Sequence, residues 1–408
     1  GSLIERKDTD MLIGLHLLQN HAPSNLNRDD NNEPKDALFG GARRARISSQ
    51  ATKRSIRWSD HFRKPFEEAD LSHLLAMRTQ LLPELVRDRL EGENLTDEEK
   101  QAIVEAAARL GKAARKVDDS SSDDSDVEDT KKGKRSRGKT SDSGGAERLK
   151  TAQLMFLTNR EVDRLTERLV DILRSQGIAT LQELQGDKLV EKIGDYEPNS
   201  VDIAMFGRMT TSSPFKDVEA AVQVAHAIST HAVDVEFDFY TAVDDISGEA
   251  GAGFIGDTTF NSATYYKYFS IDWNGLVRNL QNENAIAAMA VRALIKAAVF
   301  AIPSGKQNSF AAHNLPDLVL VEVRAEKVPL SYANAFVKPV RATPQLSLIE
   351  ASAKALQAYV PQINGMYGLK AQRAFLSSIP FELNEATRCN SLDELLIWLE
   401  SQLISVKE

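Results

Sequence analysis

The chain has 408 residues, 42% of them hydrophobic, a single cysteine and a formal net charge of −9. That length supports two or three domains around a substantial core, and the ordinary hydrophobic share excludes wholesale disorder. A sequence pI near 5.5 excludes nucleic-acid binding by bulk charge, and the lone Cys389 excludes an internal disulfide or a cysteine zinc cluster. Gly1-Ser2 reads as an expression scar with no secretion signal after it, which fits a cytoplasmic protein.

In chain order, Met11–Leu18 (MLIGLHLL) reads as a first buried strand, with His16 a satisfied core histidine. Gln19–Lys35 is rich in Asn, Asp, Pro and Ser and reads as irregular. Then the local charge reverses: Phe39–Trp58 carries six basic residues and no acidic one. A Gly40-Gly41 hinge leads into Arg43, Arg44 and Arg46, and Ser48 or Ser49 offers a hydroxyl to cap a helix. Within that helix Gln50, Lys53, Arg54 and Arg57 fall at i, i+3, i+4, i+7 and share one face. Ala51, Ser55, Trp58 and Phe62 make the neighbouring face, which is expected to dock on a core. Spaced cations beside an amide suit a phosphate backbone.

From Lys64 to Gly111 the pattern is helical, with a capping box at Thr96-x-x-Glu99. Further helices are expected over Ala146–Ser175 and Leu181–Ile193. Between these blocks, Asp118–Gly145 holds seven acids, then six bases, and no aromatic residue, so disorder is expected there. Val233–Val243 (VDVEFDFYTAV) alternates strictly and predicts a half-buried strand. Val233, Val235, Phe237 and Phe239 face one way, while Asp234, Glu236, Asp238 and Tyr240 face the other. With Thr259–Trp273 it forms a long hairpin carrying an acidic outer face. Asn282–Ile302 is an apolar helix whose Arg292 and Lys296 make one polar spot, which argues for a buried helix over a membrane span. Leu318–Val323 reads as a strand, and Leu348–Tyr359 and Ser391–Leu403 as helices. Strands separated by helices imply an α/β or α+β sandwich.

Sites of chemistry are weaker than they look. Asp234, Glu236 and Asp238 could suggest a two-metal nuclease, but alternate positions on one strand line up and do not converge. Gly251, Gly253 and Gly256 satisfy G-x-G-x-x-G, yet a strand and not a helix follows. Gly305-Lys306 lacks the glycine that a phosphate loop needs at position 300, which is Phe. No Ser/His/Asp set is legible. Binding without chemistry remains, with no cofactor implied.

Leu26–Asp30 (LNRDD), Pro34–Gly41 (PKDALFGG) and Arg43–Arg54 (RRARISSQATKR) together resemble the backbone subunit of type I-E CRISPR Cascade. VDIAMFGRMTTS (201–212), AHAISTHAVD (225–234), FYTAVDDI (239–246), PSGKQNSFAAHN (303–314) and PLSYANAFVKPV (329–340) follow in the family's order. The resemblance spans about Leu12 to Val340 and loosens beyond. It implies an α+β hand: an RRM-like palm from residues 3–61 and 200–408, helical fingers over 62–199 containing the disordered loop 118–145, and a thumb hairpin over 233–262. It implies a non-enzymatic subunit whose copies line one CRISPR guide RNA beside other Cascade subunits. They would hold the guide for pairing with complementary target DNA, in the cytoplasm and away from membranes. Carried over by position, Ser48, Gln50, Lys53 and Arg57 would meet guide phosphates, joined by Arg28, Lys35 and Lys306. Met209 and Tyr240 would clasp a displaced base. The alternative is an RNA-processing or metal-dependent nuclease of the same defence system.

Overall fold

The computed structural model describes residues 10–110, 149–194, 199–209, 214–243, 246 and 250–404. The charged stretch 118–145 lies outside them. The chain divides into two units, residues 1–72 with 220–408, and residues 73–219. This division falls at positions 72 and 219, where the sequence suggested 61 and 199. The reason lies in the second helix of the chain, whose Phe62 and Phe66 are buried and whose His61 ring stacks on Phe300 of the larger unit.

The larger unit is a mixed sheet with helices on it. Its strands are β1 (Leu12–Ser24), β2 (Asp36–Phe39) and β3 (Ala42–Ile47), and, beyond the short β4 (Met77–Thr79) and β5 (Met155–Leu157) of the other unit, β6 to β12. These last are β6 (Val222–Val224), β7 (Ala227–Ser229), β8 (Glu236–Val243), β9 (Ala250–Asp272), β10 (Leu318–Arg324), β11 (Gln372–Ser377) and β12 (Ala386–Arg388). The strand order is β12-β11-β10-β1-β9-β7-β3-β2, with β6 and β8 also paired to β9. β1 lies between β10 and β9, antiparallel to both. A strand covered on both faces reads as a continuous apolar run, and Leu12–Leu18 and Leu318–Arg324 are buried throughout. β1 continues to Ser24, so the first part of the stretch expected to be irregular is strand, held to β9 from Gln19 onward.

The helices of this unit are α1 (Ser49–Arg57) and α2 (Asp60–Glu68), then, after α3 to α7 of the other unit, α8 (Trp273–Asn279), α9 (Asn284–Phe300), α10 (Gln307–Phe310), α11 (Leu348–Tyr367) and α12 (Leu392–Ile404). One face of the sheet packs Leu18, Tyr266, Leu320 and Phe375 against Leu356 and Val360 of α11. Buried on that side, Glu322 accepts from Arg324 (2.9 Å) and Tyr332 (2.8 Å), pairs with Arg373, and lies 3.3 Å from His16 Nε2. Burial alone would raise the Glu322 carboxyl, but His16, Arg324 and Arg373 outweigh it and hold it well below the usual carboxylate range. The polar spot of α9 is answered by α12: Arg292 meets Glu400 at 2.8 Å and Lys296 meets Asp393 at 3.5 Å. Among the described residues, no helix is long and apolar enough to cross a membrane.

The hairpin of β8 and β9 departs from expectation. β9 runs unbroken over 23 residues, pairing first with β8 and then with β1. The glycines of the G-x-G-x-x-G stretch lie inside it. Phe237 and Phe239 are 71% and 67% exposed, so the strand is not half-buried. From Glu236 to Tyr240 side chains on both faces of β8 are exposed.

The smaller unit is helical: α3 (Leu82–Arg89), α4 (Asp97–Arg109), α5 (Asn159–Glu183), α6 (Gly186–Ile193) and α7 (Val201–Phe206). Leu82, Val86, Ile103, Leu165 and Leu169 centre its core. The Thr96–Glu99 capping box is formed, and Thr158–Glu161 makes a second one. Gly177 (φ 81°) breaks α5. The expected gap between helical stretches falls at that residue.

Candidate nucleic-acid interface

The basic stretch begins at a two-residue turn between β2 and β3, where Gly40 (φ 59°) and Gly41 (φ 75°) both take left-handed backbone. A Cβ on Gly40 would also fall 1.9 Å from the Val337 carbonyl oxygen. The arginines that follow are committed to the fold. Arg44 is fully buried and donates to the carbonyls of Ser229 (3.0 Å), Phe336 (2.8 Å) and Val337 (3.1 Å). Arg43 pairs with Asp36 at 3.1 Å, and Arg46 donates to the Asp36 carbonyl and lies 3.0 Å from His226 Nδ1.

Ser48 is the cap of α1. Its Oγ accepts from Ala51 N at 3.2 Å, while its own N–H donates to Asn27 Oδ1 at 2.8 Å. The hydroxyl is therefore buried in the cap and is not presented to a ligand. Ser49, Thr52 and Ile56 form the buried face of α1. Trp58, expected on that face, is exposed at the helix end with Arg63 over its ring, and Arg57, expected among the outward cations, is buried. The helix is thus rotated relative to the sequence reading, because Ile56 and not Trp58 anchors it. Gln50 and Lys53 are half-buried and Arg54 is exposed. The sequence of α1 contains no acid, and among the described residues neither Lys53 nor Arg54 has an ion-pair partner.

The loop before β2 joins the pieces. Asp29 Oδ1 accepts from Asn31 N and Glu33 N, and Arg28, exposed, reaches Asn32 Oδ1 at 3.4 Å. Lys35 is half-buried; burial first, then the neighbouring Arg46, lowers its pKa. Asn27 binds the start of α1, as above. On the other side Gly305 lies against the carbonyls of Asn25 and Leu26, where a Cβ would come within 2.7 Å and 2.3 Å of their oxygens. That contact seats the 303–314 loop, whose Lys306 has left-handed backbone (φ 46°) and donates its Nζ to Thr258 Oγ1. Asn27 so ties this loop to the start of α1, and Gly305 seats the Lys306 loop against Asn25 and Leu26, while Ser48 and Arg57 are buried. Tyr240 stands on β8 opposite Gly256 and is 45% exposed. Met209 is exposed and belongs to the helical unit.

One cation escaped the sequence reading. Lys267 shares a face of β9 with Tyr265, Phe269 and Ile271, and a lysine among inward apolar residues was a legible signal. It is 4% exposed, and burial lowers its pKa to about 8.

A mixed sheet with helices on its faces, a helical insertion and an acid-free helix beside an ordered Asn/Asp loop define an α+β protein with a localised cationic surface. Residues 13–398 match the model of the CT1975-like proteins, Cas_CT1975, and the chain belongs to that family. Among solved structures it is similar to a chain of a "CRISPR RNA-guided surveillance complex, pre-nicking", with 26% identity, a TM-score of 0.75, and coverage of 97% of this chain and 100% of that one. A second similar chain, from a "CRISPR RNA-guided surveillance complex", has 21% identity, a TM-score of 0.67, and coverage of 96% and 99%. That second likeness carries the fold alone. No curated protein sequence matches.

Proposed function

We propose that this chain is a CRISPR-associated subunit of the Cascade type that binds guide RNA, its copies forming the backbone of a type I-E complex in the cytoplasm. The observation that carries the reading is the pair Lys53 and Arg54, left without carboxylate partners on an acid-free helix in a chain of net charge −9. Cations held without counter-ions at a surface suit a polyanion, and in this reading Arg28, Lys35 and Lys306 would add further backbone contacts. The similarity, at 26% identity, to a chain of a CRISPR RNA-guided surveillance complex supports it. Base pairing would read sequence while this chain reads backbone shape, and target DNA would be met through the guide. Asp234, Glu236 and Asp238 succeed one another along one exposed arm, and among the described residues no three acidic, His or Cys side chains are grouped to hold a metal. Binding without cleavage is the reading we propose, on the likeness to a chain of an RNA-guided surveillance complex, and the cleavage assay below tests it.

The test is guide RNA binding by Lys53→Ala/Arg54→Ala across a salt series. Affinity is expected to fall for every sequence, and the slope of log K against log salt to shrink by about 0.7 per lost phosphate contact. Unchanged affinity and slope would remove α1 from the interface. RNA cleavage by the wild type that is abolished with a chelator would favour the nuclease reading instead.

A further inference from the structure

Trp58 ends the cationic helix in the open. Of the three tryptophans, Trp273 is buried, Trp398 is half-buried and Trp58 is 64% exposed. The burial that anchors α1 comes from Ser49, Thr52 and Ile56, so an indole left in water adds little to the fold. Its place is fixed all the same. Trp58 caps the C-terminal end of α1, its N–H donating to the Arg54 carbonyl at 3.1 Å. Ser59 then caps α2, and Arg63 of that helix comes over the indole, its guanidinium carbon 5.6 Å from the ring centre. Glu67 in turn holds Arg63 at 3.3 Å. One side of the ring thus meets a cation, and most of the side chain stays open.

On α1 the ring continues a row. Gln50, Arg54 and Trp58 are spaced at i, i+4 and i+8, so each stands about one turn from the next. Arg54 is exposed and, among the described residues, has no ion-pair partner, on a helix without an acid. Of the three acids of α2, Asp60 and Glu67 are taken up by Lys64 (2.8 Å) and Arg63. An isolated exposed aromatic would call for no explanation. An unpaired cation followed one turn later by an open ring has the proportions of a nucleotide, since the phosphate is an anion and every base offers a π face. The guanidinium on the ring and the absence of acid from α1 argue for a nucleic-acid base over an apolar protein surface.

We propose that Trp58 is a stacking platform for one unpaired base of the bound RNA, with Arg54 taking the adjoining phosphate. This rests on the reading of the chain as an RNA-binding subunit. Stacking tolerates any base, so the platform adds affinity without sequence preference and without charge.

Trp58→Ala in the full chain, titrated with a labelled single-stranded RNA and with an abasic version of it, is the test. The variant is expected to bind the base-bearing RNA about fivefold or more weakly, the equivalent of one lost stack. Its salt slope should match the wild type, because no phosphate contact is removed. On abasic RNA the two proteins should bind alike. Trp58→Phe should keep most of the affinity. Trp58→Leu, apolar but without a ring, should lose as much as Trp58→Ala and replaces it if the alanine variant does not fold. Equal affinity of variant and wild type for base-bearing RNA, or an equal loss on abasic RNA, overturns the platform. Unchanged RNA affinity with fewer copies per guide by native mass also overturns it, and makes the ring a contact between protein chains. If Lys53→Ala/Arg54→Ala weakens binding and Trp58→Ala does not, the platform fails while the functional reading stands. If the wild type binds no RNA, both fail.

Discussion

Arg44 and Lys53 come from one basic stretch, yet their surroundings give them opposite tasks. Arg44 satisfies three backbone carbonyls inside the larger unit; Lys53 satisfies none of the protein's groups. Arg44→Ala should therefore cost on the order of 2–3 kcal/mol in a denaturant titration, as expected for lost hydrogen bonds to a buried charged group. Lys53→Ala should leave the melting midpoint within a degree or two. The buried Glu322 adds a pH dependence whose sign is fixed. Its folded pKa lies below the unfolded value of about 4.3, so its contribution is present at neutral pH and is lost as pH falls below that value. Lys267 acts the other way: with a folded pKa near 8 against 10.5, the unfolded chain binds more protons between those values, and stability rises with pH across that window. Stability curves of Glu322→Gln and Lys267→Met should each lose the corresponding limb.

At the scale of elements, the turn of β2 and β3 offers a matched pair of tests. Gly41→Ala meets open space and bears only the left-handed backbone, about 1 kcal/mol. Gly40→Ala adds a collision with the Val337 carbonyl, so it should destabilise distinctly more in the same titration. The glycines, the Thr96 cap and the alternation of β8 were legible because each is a local rule. The rotation of α1 was not: Trp58 is the more apolar side chain, but the Ser48–Asn27 hydrogen bond and the Ile56 anchor fix which face turns inward, and both depend on residues packed from elsewhere. The exposure of Phe237 and Phe239 was hidden for a related reason, since alternation reveals two faces without saying whether a layer covers either. The engagement of Arg43, Arg44 and Arg46 was equally invisible in a charge count.

At the scale of the whole molecule, the proposed role predicts periodicity. If copies repeat along one guide, native mass measured with and without guide RNA should differ by a whole number of protein chains plus one RNA. If Tyr240 and Met209 clasp a displaced base, single-strand-specific probes should mark the guide–target hybrid at a regular interval. Mismatches at the marked positions should cost almost nothing, against about 1–2 kcal/mol elsewhere. Tyr240→Ala/Met209→Ala should blur that pattern while leaving the fold intact, as both side chains are exposed. Uniform protection along the hybrid would rule the clasp out and leave the coating role untouched.

The unbroken β9 gives the arm a mechanical character. Its 23 residues extend at most about 75 Å at about 3.3 Å each, and the same strand that forms the projecting arm is clamped by β1 at its other half. The arm is thus a cantilever rooted in the middle of a ten-stranded sheet. A load on the arm would pass along β9 into the ladder of β1 and β9, whose register shifts between His21 and Ser24 at the root of the arm. Inserting two glycines between Phe260 and Asn261 would turn the beam into a tether, and whatever the arm does through its direction would then become a matter of chance encounter.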